Sequence, residues 1–322
     1  MPDRTLAIAP MMDYTDRHDR YFLRLISKYT LLYTEMLTCQ ALIHGDSKRF
    51  LKFDESEHPI ALQLGGSNLK DLAVCSQMAE QAGYNEVNLN VGCPSDRVKS
   101  GKFGACLMAD PKLVAECISA MQTKVTIPVT VKCRIGIDDQ FELVQLPLFL
   151  ETLADAGCNT FIIHARKAWL QGLNPKENRD VPPLNYKLVY EMKKKFPQLN
   201  ISINGGINNL DEAKKHLEFV DGVMIGRAAY HNPYMLAEAD NLLYGDNKHI
   251  PTRQQILSEF LPYIDQQVKE GVKLTQISRH ILGLFQGLPG ARLYRRHISE
   301  NANKPEANSQ VIKDAAKFIQ ED

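Results

Sequence analysis

Eight short apolar runs rich in β-branched residues recur through the first three quarters of the chain, each followed by a stretch whose apolar residues return at helical spacing. In order they are LAIAPM from Leu6, LLYTEM from Leu31, IALQLGG from Ile60, EVNLNVG from Glu86, VTVKCRIG from Val129, TFIIHAR from Thr160, ISINGGI from Ile201 and GVMIGRAA from Gly222. Their starts lie 21 to 43 residues apart, room each time for a strand, a loop and the crossover helix that parallel pairing requires. Such a succession predicts an α/β fold, a (β/α)8 TIM barrel rather than a doubly wound sheet. Polar residues mark the C-terminal ends of the runs: Asp13, Glu35, Gln63, Asn88, Asn90, Lys132, Arg134, His164, Arg166, Asn204 and Arg227. In a barrel those ends converge on one face, where such folds place their sites.

The pattern changes near Asn241, and YGDNKHIPT, residues 244–252, has the Gly, Asp, Asn and Pro of a linker. Beyond it the period is helical, with stripes at Ile256, Phe260, Ile264 and Val268, at Ile277, Ile281, Leu284 and Phe285, and at Val311, Ala315 and Ile319. The expected division is a catalytic barrel over residues 1–243 and a small all-helical domain over 244–322, too short to be an enzyme by itself.

Composition adds constraints. Of 322 residues 44% are hydrophobic and 24% charged, an ordinary soluble globular balance. Seven Cys with no C-x-x-C pair exclude a zinc clamp of that kind and predict free thiols in a reducing cytoplasm. No export signal or membrane-spanning stretch is read in the sequence. The 38 Lys+Arg balance 38 Asp+Glu, so a nucleic-acid partner must be held by a local basic surface. One candidate lies between Gly271 and Ser299, where Lys273, Arg279, Arg292, Arg295 and Arg296 occur without an Asp or Glu and with Tyr294 among them. Phosphate tracking and a plain solvated face both fit it. A second basic group, Lys167, Lys176 and Arg179, follows the sixth run.

Asn204-Gly205-Gly206 and Gly226-Arg227 end the seventh and eighth runs, the pair of strands where barrels commonly cradle a phosphate on backbone N–H groups, though glycines there also simply shape turns. Ala9-Pro10-Met11-Met12 either lines a flat apolar slot or belongs to the core. Lys132 sits in a run read as apolar on both faces, and burying an ammonium is costly, so it forms a Schiff base or sits beside an anion. His164 is a core histidine or a ligand contact. Most informative is the loop NLNVGCPSDRVKSGKFGACLM, whose glycines at 92, 101 and 104 suit a mobile or sharply folded lid. Cys93, before Pro94 in this polar loop, differs from the other cysteines, and a protonated thiol can act as general acid as well as nucleophile.

These residues resemble the tRNA-dihydrouridine synthases, in particular their A subfamily. The resemblance spans essentially the whole chain and rests on APMMDYTD at 9–16, YTEM at 33–36, ALQLGG at 61–66, NLNVGCPS at 88–95 and VKCRIGID at 131–138. HARKAWLQGLNPKENRDVPPLNY at 164–186, NGGI at 204–207 and GRAAYHNP at 226–233 complete it. The resemblance implies an FMN-dependent oxidoreductase that uses NADPH to convert D-loop uridines of tRNA, at positions 20 and 20a, to 5,6-dihydrouridine. It further implies that Pro10, Met11 and Met12 contact the isoalloxazine, that Gln63, Lys132 and His164 reach its polar edge, and that Asn204, Gly205, Gly206, Gly226 and Arg227 hold the phosphate. Cys93 matches the family's proton donor.

Asn90, Arg134, His164 and Arg166 point to the same mouth and are candidates to hold the base, with Lys176 and Arg179 nearby and Arg292 and Arg295 on the helical part for the rest of the tRNA. Rival classes are a Schiff-base lyase built on Lys132, an RNA-binding module with an inert barrel, and a flavin dehydrogenase of free pyrimidines. The first two leave Cys93 with a double-glycine phosphate site unexplained; the third has no use for a basic helical tail.

Overall fold

The computed structural model describes residues 2–95 and 101–320; residues 96–100, within the loop that follows Cys93, lie outside it. Strands β1 (Leu6–Ile8), β2 (Leu31–Thr38), β3 (Ile60–Gly65), β4 (Glu86–Val91), β5 (Val129–Arg134), β6 (Thr160–His164), β7 (Asn200–Asn204) and β8 (Gly222–Ile225) pair in sequence order. All pairings are parallel, and β8 closes on β1 through Ala7 opposite Met224. The expected (β/α)8 barrel is therefore observed.

Side-chain alternation explains the ring. Leu62, Leu64, Val87, Leu89, Val131, Cys133, Ile163, Ile201, Ile203 and Val223 join the large core shared with the surrounding helices. The opposite faces carry a small separate apolar cluster of Ala7, Ala9, Leu31, Tyr33, Ala61, Ile162 and Met224, together with buried Gln63, Glu86, Asn88, Asn90, Thr130, Arg134, Ser202 and Asn204. This corrects one expectation: β5 is not apolar on both faces, because Thr130, Lys132 and Arg134 share its inner side by the period of two.

Some runs overshoot their strands. β1 stops at Ile8, and Met11 O accepts from the Tyr14 and Thr15 amides at 3.1 and 3.0 Å, turning the chain across the barrel end, with Asp13 at φ 65°. β8 stops at Ile225, and Arg227 opens a short helix, Arg227–His231. A register shift in β2 between Tyr33 and Met36 re-aims Glu35, whose carboxylate accepts from the Asp13 amide at 2.5 Å.

After the irregular stretch 245–252, Thr252 and Gln255 form a capping box that starts the Arg253–Lys269 helix. Leu274–Ser278, Ala291–Asn301 and Ser309–Ala316 follow. Ile256, Phe260, Ile264, Ile277, Ile281, Leu284 and Phe285 are fully buried, as their stripes predict. In the third stripe the buried residues are Ile312 and Ala315, with Val311 and Ile319 at its edge. The helices pack on the Arg17–Ile26 helix of the barrel through Tyr21 stacked on Tyr263, with ring centroids 4.0 Å apart, and Phe22 against Phe260 at 5.3 Å. Arg279 and His280 meet Asp16 at the same joint, at 2.6 and 3.1 Å.

Candidate active site

The C-terminal ends of β4 to β8 and the 165–185 segment collect most of the expected residues into one electropositive mouth. Lys132 reaches across it, Nζ donating to Asn204 Oδ1 at 2.9 Å, while Asn204 Nδ2 donates to Met224 O at 2.8 Å. Among the described residues the ammonium's hydrogen-bond partner is thus a neutral amide. Burial, and then the Arg134 guanidinium, pull the Lys132 pKa down to about 8.

His164 lies opposite Asn204 in register, half-buried. Burial and the cations Arg134, Lys132, Arg166 and Arg179 hold its pKa well below the ordinary histidine range, so the imidazole is neutral. Gly205, at φ 110°, is where backbone meets this ring: a Cβ would sit 2.6 Å from His164 Cδ2. Gly206, at φ 72°, is equally confined, by Leu184 and Tyr186. Gly226 closes the other side, where a Cβ would lie 3.6 Å from Ala9 Cβ and Met11 Sδ, bringing the first and eighth strand ends together. Pro10 and Met11 are half-buried and Met12 is 53% exposed beside them.

The arginines are used differently. Arg134 is buried and braces two loops, donating to Gly92 O at 3.2 Å, Lys167 O at 3.1 Å and Asn178 O at 2.8 Å. Burial lowers its pKa to about 10, still charged at neutral pH. Arg166 donates to Asp180 O and Pro182 O, and its buried Nε has no partner among the described residues. Arg227 forms an exposed two-point ion pair with Asp180 at 2.7 and 3.4 Å. Lys176 and Arg179 are exposed on the segment between them.

Cys93 is half-buried at the same mouth, its Sγ 3.6 Å from Ser95 Oγ and its carbonyl accepting from the Ala105 amide at 2.9 Å. It neighbours Lys132 and Arg134 at this end of the barrel. Its loop is fixed at the strand end by Asn90, whose Oδ1 accepts from the Gly92 and Cys93 amides at 3.1 and 3.0 Å. Asn90 Nδ2 in turn donates to Gln63 Oε1 at 2.8 Å.

Arg292 and Arg295 do not join this cluster; they lie on the Ala291–Asn301 helix, Arg292 exposed and Arg295 3.2 Å from Gln286. Tyr294 between them is fully buried, donating to Ile281 O at 3.3 Å and edge-on to Phe285, so it is core and not part of a basic surface. Arg279 is tied to Asp16 and Arg296 to Glu300, each at 2.6 and 2.7 Å respectively, which leaves Lys273, Arg292 and Arg295 without an ion pair among the described residues.

Two elements escaped the sequence reading. Asn178, fully buried, accepts from the Trp169 amide at 2.7 Å and donates to Trp169 O at 2.9 Å, Leu173 O at 3.1 Å and Asn174 O at 3.3 Å, so one side chain organises the 165–185 segment. Thr130 and Glu86 lie under the mouth in line with Asn88 and Asn90; the same period of two that marks 132–134 and 88–90 points to them.

The fold and site define a (β/α)8-barrel enzyme whose mouth gathers cationic side chains and a half-buried thiol at the C-terminal ends of the strands. The sequence pattern of the family described as dihydrouridine synthase matches residues 7–320, and the chain belongs to that family of flavin-dependent enzymes. A relative from Shewanella oneidensis, named tRNA-dihydrouridine(20/20a) synthase, is 57% identical over 320 residues, covering 99% of this chain and 95% of its own. Proteins of the same name from Vibrio vulnificus and Synechocystis are 58% and 54% identical, covering 98% and 96% of this chain and 97% and 93% of their own.

Proposed function

We propose that this protein reduces uridines 20 and 20a in the D-loop of tRNA to 5,6-dihydrouridine in the cytoplasm, with FMN bound in the barrel mouth and NADPH as reductant. The observation that carries the proposal is the pairing, on one barrel face, of a thiol on a braced loop with a desolvated lysine that has no counter-anion among the described residues.

The residues suit a flavin phosphate ester. The glycines at 205 and 206 leave backbone where side chains cannot fit, and Lys132, whose hydrogen-bond partner among the described residues is an amide oxygen, is left for the polar edge of the ring. Asn204, Gly205, Gly206, Gly226 and Arg227 would hold the phosphate. The exposed Arg227–Asp180 pair contributes at most about 1 kcal/mol, so exchanging the carboxylate for a phosphate is inexpensive. Pro10, Met11 and Met12 would face the ring system, with Gln63, Lys132 and neutral His164 at its polar edge.

A bound, reduced flavin would supply the hydride for C6 of uracil. The conjugated C4 carbonyl leaves negative charge toward C5 and O4, and Cys93 gives its proton to C5, so that one hydride and one proton complete the reduction. Asn90, Arg134 and Arg166 are assigned to the base's carbonyl and imide edge; of these Arg166 retains a free donor among the described residues, whereas Asn90 and Arg134 already hold loop backbone. The base must leave its stack to reach this mouth, at a cost of a few kcal/mol. Lys176 and Arg179 nearby, and Arg292 and Arg295 on a tRNA-binding helical domain over residues 244–322, are assigned to offset that cost through phosphate contacts.

The test is position-resolved mapping of dihydrouridine in tRNA from cells lacking the protein, together with treatment of that tRNA by the purified protein and NADPH. Loss at positions 20 and 20a, restored in vitro, is expected; unchanged dihydrouridine at both refutes the proposal.

A further inference from the structure

Beneath the mouth a row of buried polar side chains continues down into the barrel. From the top, the Gly92 and Cys93 amides donate to Asn90 Oδ1, and Asn90 Nδ2 donates to Gln63 Oε1 at 2.8 Å. Gln63 Nε2 donates to Asn88 Oδ1 at 2.8 Å, Asn88 Nδ2 to Thr130 Oγ1 at 2.8 Å, and the Thr130 hydroxyl to Glu86 Oε1 at 2.7 Å. Glu86 also accepts from the Tyr33 hydroxyl at 2.5 Å and is ion-paired with Arg4. Asn88 is in register with Gln63 on one side and Thr130 on the other, so the row crosses β3, β4 and β5. Glu86, Asn88 and Thr130 are fully buried.

The chemistry of the two ends fixes the direction of everything between. Backbone N–H groups only donate, and a carboxylate paired with arginine only accepts. Three side-chain amides and one hydroxyl lie between, and a single arrangement lets every donor face an acceptor. Turning any one amide over sets donor against donor, so all must turn together, and the last then presents N–H groups to the Gly92 and Cys93 amides. We propose that Glu86 and Thr130 are positioning residues for the reaction: through this row they set the orientation of Asn90 and hence the backbone from which Cys93 meets the substrate. The inference rests on the reading of Cys93 as proton donor.

Thr130→Val keeps the shape of the side chain and removes the hydroxyl. Asn88 then faces a methyl group whichever way its amide points, so the row keeps only its upper anchor at the Gly92 and Cys93 amides and loses the lower one that holds it in place. Thr130→Ser restores the hydroxyl, and Thr130→Cys replaces it with a weakly hydrogen-bonding thiol. On flavin-loaded full-length protein three rates are measured: flavin reduction by NADPH, reoxidation of pre-reduced flavin by unmodified tRNA, and alkylation of Cys93 by iodoacetamide without tRNA, read on the peptide that contains it.

Misplacing a reacting group by about 1 Å can cost on the order of 100-fold, so Thr130→Val is expected to slow the tRNA step by about tenfold or more. It should also shift the Cys93 alkylation rate and, because Gln63 of the same row is assigned to the flavin edge, slow the NADPH step by less than the tRNA step. Serine should recover the altered rates and cysteine fall between, an order that decides the matter even if the valine variant does not fold. Wild-type rates for tRNA and alkylation in valine or cysteine variants overturn the inference. Cys93→Ala is run alongside. If it reduces tRNA normally, the proton-donor assignment fails while alkylation still tests the row; if it is inactive and the Thr130 variants are normal, the row alone fails.

Discussion

Lys132 offers a direct physical test, because its charge is at odds with its surroundings in the flavin-free protein. In the unfolded chain the ammonium holds its proton to about 10.5; in the folded mouth it titrates at about 8, with burial the first cause and Arg134 the second. The charged form is the one penalised, so the folded state is destabilised in full below about pH 8, and the penalty is relieved as pH rises toward 10.5. The gap corresponds to about 3 kcal/mol at pH 7, of which about 1 kcal/mol is recovered by pH 9. Lys132→Met keeps a long unbranched side chain without the charge and adds only a pH-independent offset from the lost bond to Asn204. Urea unfolding of the flavin-free wild type and variant at pH 7, 8 and 9 should therefore show the wild type gaining on the variant by about 1 kcal/mol across the range. Saturating FMN, by bringing the acceptor edge of its ring to the ammonium, should flatten that gain. Parallel pH profiles for the flavin-free proteins would refute the claim that this lysine is desolvated and waiting for a counter-charge.

Asn178→Ala removes the hydrogen bonds that organise the 165–185 segment and strands the Trp169 amide and carbonyl, a loss of about 2–3 kcal/mol locally. Limited proteolysis should cut that segment faster and the KM for tRNA should rise with NADPH-driven flavin reduction unaltered; unchanged cleavage contradicts the role. Replacing Arg292 and Arg295 together by Ala should weaken tRNA binding and reduce the slope of log affinity against log salt by about one to two. An unchanged slope assigns that helix face to solvent.

The barrel was legible because buried parallel strands must read as short apolar runs, and the site was legible because polar residues interrupt those runs at one end. Strand ends were less so. The turn at Met11 and the helix opened by Arg227 depend on backbone direction, which hydrophobicity does not record. Tyr294 shows a reading by composition overruling one by period: Ala291, Tyr294 and Ile298 share a buried helix face, and that spacing was available in the sequence. The brace from Arg134 to Asn178 and the pair Arg227–Asp180 join residues 44 and 47 positions apart and leave no local signal. Thr130 and Glu86 needed only the strand period to be carried downward from the mouth.

The central claim is that the thiol at the barrel mouth completes the reduction of a uracil. Pre-reduced Cys93→Ala mixed with unmodified tRNA, its flavin absorbance followed in a single turnover, tests it most directly. Reoxidation slowed by about 100-fold or more against wild type is expected, with flavin content and reduction by NADPH unchanged. Reoxidation at the wild-type rate, with dihydrouridine formed, would contradict it.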